Sequence, residues 1–598
     1  MKKKMRKISV LQIVLLAVAL VSAAIAPCEA AVKPFTAAAL QFNPVLNERD
    51  KNIDALAEAV GIAAQHGAKL IVAPEMSTTG YQYGSREEIA PYTDTIPGVA
   101  TAKIGEVAKK YGVYVVFGMA ERDADTDLYY NSAAFVGPEG YIGKYRKSHQ
   151  WETEEHWAAW GDLGVPVYDT QLGKIAINIC MDATYFESAR LAGLGGADIL
   201  AFPTNSTAQA MWALQSRAVH NGMFIIAANR SNTELDYHMI GASAIWSPEG
   251  DLLVSAKILP DKKDDIDEAN AVYAVIDPSK YDNVNKRRFT ERRPELYKDI
   301  ALHISPWNYK ATEKSQNVCA SVVQYAPIAS DKKRNMGKIE TLLSNRKLRS
   351  LDVIVLPEYS LTGAPRGEKE AVEFAEAPGG ESSAFYAKLA KEIDSYVVGS
   401  VIEKRDDKLY IKALLISPDG AVAGEYAKTH LNALEKNWAE PGSSLGVFST
   451  PAGRLGIMFG SESVFPEMAG LLAVKRVDMI AVPSSWRGEY GAVIDKDYKL
   501  SQNPYPKNAM CLFDAVALTS QAYTLVAGFA GGTYKGGSGK YALDPLYGLD
   551  KVELLDKEEE ALCVKFDTLQ RDWWFNQERL IGGRSPLLYK PIISSKNN

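Results

Sequence analysis

Short apolar runs recur along the chain and are separated by amphipathic stretches and turns. AAALQF (37–42) and KLIVAP (69–74) are rich in small and branched residues, the composition of strands buried on both faces. Between them, NIDALAEAVGIAAQHGA (52–68) carries apolar residues at helical spacing and a glycine near its end, which predicts a helix. VYVVFGMAER, YNSAAFVGPEG, KIAINIC, ADILAFPTN and FIIAANRS continue the strand-like series to residue 231. YVVFGMAERDADTDLYYNSAAFV reads as a hairpin, so strand directions are mixed. Strands alternating with helices and turns predict an α/β layered domain.

The same pattern then runs a second time. Gln41 matches Gln324 and Asn52 matches Asn335, both at a lag of 283. LIVAPEMSTTG (70–80) matches VIVLPEYSLTG (353–363), and GKYRKSH (143–149) matches GEYAKTH (424–430). AINICMDATYFE (176–187) lies over GIMFGSESVFPE (456–467) without a gap. A shared order over hundreds of residues is an internal duplication. It divides the chain into copies at 33–300 and 316–598, joined by a polar linker at 301–315.

Length and composition agree with several cores: 598 residues, 47 % hydrophobic and 23 % charged. The net charge of -6 is spread along the chain and gives no reason to expect nucleic acid or an anionic membrane surface as partner. The first residues differ. MKKKMRK precedes the apolar run VLQIVLLAVALVSAAIA (10–26) and the small residues of PCEAA, the order of a cleavable secretory signal peptide spanning 1–30. The expected location is exported, periplasmic or secreted. A retained anchor and a lipoprotein built on Cys28 are the weaker readings, since the run is short for a span and Pro27 precedes the cysteine. Removing the leader leaves Cys180, Cys319, Cys511 and Cys563, with neither a disulfide framework nor metal-ligand spacing.

Three reactive residues of the first copy follow apolar runs: Glu75 after LIVAP, Lys147 after GYIGKYR and Cys180 after KIAINI. Ligands of α/β sheets collect beyond the carboxyl ends of strands. A thiol with a base, a charge-holding group and oxyanion donors has the parts for attack on a carbonyl. Each residue also has a plainer reading: a buried small hydrophobe for Cys180, a turn cap for Glu75, a solvated strand end for Lys147. The duplication argues against the last two, because Glu358 and Lys428 repeat them.

With APEMSTTG, KYRKSH and GKIAINICMDATYFESAR in order, the chain resembles the carbon–nitrogen hydrolase, or nitrilase, superfamily over nearly all of its mature length, twice. The resemblance implies an α-β-β-α four-layer sandwich. It implies Glu75 as base, Lys147 as charge stabiliser and Cys180 as nucleophile, with a second glutamate between the lysine and cysteine motifs. TEEHWAAWGD laid on LEKNWAEPGS selects Glu154, matched by Glu435, with Glu155 as runner-up. Phe186 departs from the pattern, standing where the family usually has proline. No cofactor or metal is implied. The expected reaction is hydrolysis of a small amide through a thioester, with the backbone N–H of Met181 as oxyanion donor. Nitrile or N-carbamoyl hydrolysis and a non-enzymatic exported binding or scaffold protein are the alternatives. Tyr81, Tyr83, Asn205, Trp212 and Trp246 are candidates to line the pocket. Asp182 and Glu187 read as structural, Glu187 pairing with Arg190 three residues on. His149 and His430 read as packing or hydrogen-bonding residues, and His238 as pocket-side or surface.

The second copy keeps Glu358, Lys428 and Glu435 but has Gly460 in the cysteine's place, and Ser461 is out of register by one. It is expected to be chemically dead and to serve as a built-in partner, an internal pseudo-dimer within a chain that is itself a possible homo-oligomer.

Overall fold

A computed structural model describes residues 32–207, 209–303, 314–347, 350–487, 509–541, 552–568 and 576–595, without the side chains of 209–212. The signal-peptide assignment and most of the linker lie outside the described residues. So do the aromatic residues of the stretch DWWFNQERL (572–580), whose composition suggests packing between the copies or a binding surface.

Among the described residues each copy contains two six-stranded sheets. In the first copy one sheet runs, edge to edge, Asn270–Ile276, Phe35–Gln41, Ala68–Val72, Tyr114–Arg122, Tyr129–Gly137 and Gly140–Arg146. The other runs Leu252–Ser255, Ala244–Trp246, Phe224–Ala228, Ile199–Pro203, Gly173–Ile177 and Val167–Thr170. Central neighbours are parallel and outer ones antiparallel, the mixed direction that the hairpin pattern predicts. The second copy repeats this strand order.

The period of two in the strands builds the layers. Ala37, Ala39, Leu70 and Val72 point inward and meet Ile175, Ile177, Ile199 and Ile226 of the facing sheet. Ala38, Leu40 and Ile71 point outward onto Leu56, Val60 and Ile104 of the helices Arg49–Gln65 and Val99–Tyr111. On the far side, Ala176, Leu200 and Ile225 meet Ala189, Leu214 and Ala218 of the helices Phe186–Leu194 and Gln209–Asn221. The result is an α-β-β-α four-layer sandwich, built twice.

The two copies join through the helices after the second sheets, and their contacts are reciprocal. Arg292 of the first copy donates to Glu467 of the second at 2.8 Å, and Arg584 of the second donates to Glu187 of the first at 3.0 Å. Arg292 also donates to the carbonyl of Ile592, as Arg584 does to that of Ile300. Tyr297 Oη lies 2.6 Å from His430 Nε2, and Tyr589 Oη lies 2.7 Å from His149 Nε2. The segment ending each copy thus reaches across its partner.

One expectation changes here. Glu187 and Arg190 do not pair with each other: Glu187 takes Arg584, and Arg190 reaches Glu467 at 2.9 Å. A spacing of three on one helix is compatible with a pair, but each side chain has a better-placed partner across the copies. Phe186 opens its helix and its ring lies on the second copy at Gly470, where a Cβ would stand 2.5 Å from Phe186 Cε1. Its departure from proline therefore belongs to the contact between copies.

Candidate active site

Glu75 follows the strand Ala68–Val72 in a tight turn, and Met76 has a left-handed φ of 53°. The turn lies directly on the next strand: a Cβ at Gly118 would stand 2.4 Å from Glu75 Cα, so only glycine allows this approach. Lys147 follows the strand Gly140–Arg146 and is fully buried. Its Nζ donates to Glu75 Oε1 at 2.8 Å and to Glu154 Oε1 at 2.6 Å. Glu154 opens the short turn Glu154–His156 and is buried, whereas Glu155 is exposed and turned away from this cluster.

Cys180 opens the turn Cys180–Ala183 after the strand Gly173–Ile177, with a left-handed φ of 44°. Asp182 fixes that turn. Its Oδ2 accepts from Ile179 N at 2.9 Å and from Tyr145 Oη at 2.7 Å, and its Oδ1 lies 2.8 Å from His149 Nδ1. The other face of the His149 system is Tyr589 of the second copy, and the ring stacks on Tyr185 at 4.0 Å.

The electrostatics follow from burial. Taking the cysteine out of water pushes its thiol up to about 12, the Glu75 charge adds to this and Lys147 opposes it. The thiol is therefore protonated at neutral pH and needs a base to become a nucleophile. Burial raises Glu154 to about 7 against the pull of Lys147. Burial works against the charge on Lys147 as well, but its two carboxylates outweigh it and hold the ammonium protonated.

Other positions named from the sequence fall as follows. Tyr81 is buried, and its hydroxyl donates to Glu154 Oε1 at 3.3 Å. Asn205 donates its backbone N–H to Glu75 Oε2 at 2.9 Å, while both polar atoms of its side chain are buried without a protein partner, free for a ligand. Tyr83 packs beside Tyr81, its hydroxyl bound to Thr79 O. The Met181 side chain packs instead against Ala473 and Leu580 of the second copy, leaving the backbone N–H as its contribution. Trp246 is a core residue between the second sheet and its helices, because its strand position points outward from the sandwich. Trp212 lies in the helix Gln209–Asn221, and its side chain is outside the described residues. His238 belongs to a small hairpin, bound to Thr233 and to Leu259 O. Among the described residues no cluster of His, Cys, Asp and Glu is placed to hold a metal ion.

Sequence reasoning missed Asn131. Its Nδ2 donates to Glu75 Oε1 at 2.7 Å and to Glu154 Oε1 at 2.9 Å, bridging the two carboxylates. The matching backbone position of the second copy is Ile411, whose carbonyl accepts from Lys428 N as Asn131 O accepts from Lys147 N. A search for residues shared by the copies passes over it. A search for polar residues lost from the second copy would have found it.

The second copy repeats the ionic core. Lys428 Nζ donates to Glu358 Oε1 at 2.8 Å and to Glu435 Oε1 at 2.6 Å. Gly460 opens the equivalent turn, Gly460–Val464, without the left-handed φ of Cys180.

The sequence profile described as "Carbon-nitrogen hydrolase" matches residues 36–281 and again 319–553. The chain belongs to the carbon–nitrogen hydrolase family. Over 262 residues it is 37% identical to a protein named nitrilase from Pyrococcus abyssi, covering 44% of this chain and 98% of that one. Over 232 residues it is 34% identical to a formamidase of Bacillus cereus, covering 37% of this chain and 69% of that one. Among solved structures, the carbon–nitrogen hydrolase of Helicobacter pylori G27 superposes with a TM-score of 0.40 at 24% identity, covering 46% of this chain and 100% of that one. This carbon–nitrogen hydrolase acts, as an amidase-type enzyme, on non-peptide C–N bonds.

Proposed function

We propose that the first copy hydrolyses a small amide through a thioester on Cys180, and that the second copy is its permanent, non-catalytic partner. The observation that carries the reading is the buried Lys147 ammonium between Glu75 and Glu154, beside a thiol whose proton Glu75 makes harder to lose. Glu75 takes the Sγ proton, and Sγ attacks the carbonyl carbon. Lys147 Nζ and the Met181 N–H hold the developing oxyanion, where each such contact is worth about 3 kcal/mol. Glu75 returns the proton to the nitrogen, the C–N bond breaks and ammonia or an amine leaves. Water then gives a proton to Glu75 and attacks the thioester, and the cysteine leaves and is reprotonated as the acid forms. Glu154, Asn131 and Tyr81 orient the lysine and the base.

The partner role rests on the reciprocal contacts, and above all on Tyr589, which holds His149 and through it Asp182, the side chain that fixes the Cys180 turn. The relatives named formamidase and nitrilase support a small amide and keep nitriles in the comparison. Ammonia release from aliphatic amides, aromatic amides, N-carbamoyl amino acids and nitriles, measured for the native chain and for Cys180→Ala, tests this. Loss of release in the variant is expected; equal release from both would overturn it. We also propose that residues 1–30 are a cleaved leader that directs the enzyme out of the cytoplasm, so N-terminal sequencing of exported protein should begin at Ala31. A start at Met1 would contradict cleavage.

A further inference from the structure

The second copy has lost its thiol and still contains a cavity of about 330 Å³ at the same place. Its wall includes Glu358 and Glu435, together with Ala364, Trp438, Ser461, Ser485, Trp486 and Arg487. Simple loss of function does not explain this set, because several substitutions act together. Tyr81 of the first copy is matched by Ala364, which vacates the volume of a phenol ring. The hydroxyl that Tyr81 gives to Glu154 is supplied instead by Tyr359, which donates to Glu435 Oε1 at 2.9 Å. Asn205 is matched by Ser485, whose hydroxyl donates to Glu358 Oε2 at 2.8 Å. Met181 is matched by Ser461, whose Oγ is buried at the cavity without a protein partner. The indole Nε1 of Trp438 is a second buried donor without one. The ionic core is therefore kept and re-satisfied while the space beside it is opened.

Gly460 shows that the nucleophile's place has been closed. A Cβ there would stand 2.4 Å from Ser484 Oγ and 2.7 Å from Ser484 Cβ. The side chain of Ser484 fills the space, and the turn has relaxed from the left-handed geometry that presents Cys180.

We propose that this cavity is a second binding site, which takes a small neutral carboxamide with a flat apolar tail and leaves it uncut. The polar end of the cavity offers a donor in Ser461 and an acceptor in Glu358, the two functions that a carbonyl next to an N–H₂ requires, with the buried Lys428 ammonium holding Glu358 and Glu435 in place. At the polar end two carboxylates share one buried ammonium, and the other cation of the wall, Arg487, is exposed and bound to Ala364 O and Tyr534 Oη, so a carboxylate ligand seated there would add a like charge beside Glu358 and Glu435, and a neutral amide does not. Trp438 and Trp486 give the cavity an aromatic wall for the tail. The choice of an amide rests on the reading of the first site; the cavity and its unpaired donors do not.

The test uses the full chain carrying Cys180→Ala and titrates it with 4-fluorobenzamide and with butyramide, followed by fluorine NMR and by calorimetry respectively. Two sites per chain are expected. Ser461→Trp in the same background should leave one, and in the native chain it should change ammonia release by less than about twofold. Ser461→Ala with Ser485→Ala, which adds no bulk, should weaken the second site at least threefold. One site that Ser461→Trp leaves untouched, or no saturable binding, overturns the proposal. Ammonia release from Cys180→Ala that Ser461→Ala abolishes also overturns it, by showing turnover in the second copy. Release that survives both changes counts instead against the role of Cys180.

Discussion

Removing the Tyr589 hydroxyl isolates what the second copy does for the first. Tyr589→Phe deletes one atom that lies 2.7 Å from His149 Nε2, and Tyr297→Phe deletes its counterpart, 2.6 Å from His430 Nε2. Both hydroxyls are fully buried, and each removal leaves a ring nitrogen without its partner, at a cost of about 1–3 kcal/mol. The two variants should therefore lose similar stability. They differ in what lies beyond the histidine. His149 binds Asp182, whose other oxygen holds Ile179 N, the residue before Cys180. His430 faces Glu462, and the turn it supports starts at Gly460. If about half of the penalty in Tyr589→Phe, about 1 kcal/mol, is expressed as a displaced nucleophile, kcat falls about fivefold, since about 1.36 kcal/mol is a factor of ten. KM should move by less than about twofold, because Asn205, Tyr81 and the carboxylates are untouched. The assay is ammonia release with saturating amide, beside urea unfolding of both variants. Equal kcat in the two variants, or a native kcat in Tyr589→Phe at reduced stability, would refute a positioning role for the second copy.

Other outcomes follow from the same geometry. Although burial opposes its ionisation, Arg190 and Arg292 hold Glu467 at about 2, below its ordinary 4.5. Its contribution, about 3 kcal/mol, is present above pH 4.5 and is lost as pH falls toward 2. Glu467→Gln should cost about 3–5 kcal/mol at pH 7 by leaving two guanidinium groups unpaired. The gap to the native chain in urea unfolding should narrow below pH 4, and a pH-independent gap would contradict the assignment. With its thiol up at about 12, Cys180 should react with iodoacetamide about tenfold faster per pH unit from 7 to 10, with Cys180→Ala as blank. A plateau below pH 8.5 would mean a standing thiolate. Gly460→Cys in the Cys180→Ala background should release no ammonia, because the new Cβ meets Ser484 and the turn lacks the left-handed geometry. Restored release would show that the second copy has lost only a sulfur atom.

The layers were legible because each strand alternates cleanly: Ala37 and Ala39 face one core, Ala38 and Leu40 another. The ionic centre was legible because Glu75, Lys147 and Glu154 each recur in the second copy, which turns isolated residues into a frame. What stayed hidden depends on contacts far apart in the chain. Glu187 and Arg190 suggest a local pair, and only folding shows that Arg584, 397 residues away, competes successfully. Residue type makes Trp246 a candidate for the pocket, yet its strand position turns the ring into a core between the second sheet and its helices. Asn131 carried no signal in the repeat because the second copy has replaced it.

The central claim is that one copy of two performs the chemistry, through a single acyl-cysteine. It is tested most directly by mixing the enzyme with its best amide, quenching in acid within one turnover and weighing the intact chain and its peptides. The account predicts one acyl group per chain, on the peptide containing Cys180, and none in Cys180→Ala. An acyl group elsewhere, on Ser461 or Ser484 above all, or turnover with no adduct under conditions that slow hydrolysis of the thioester, would contradict it.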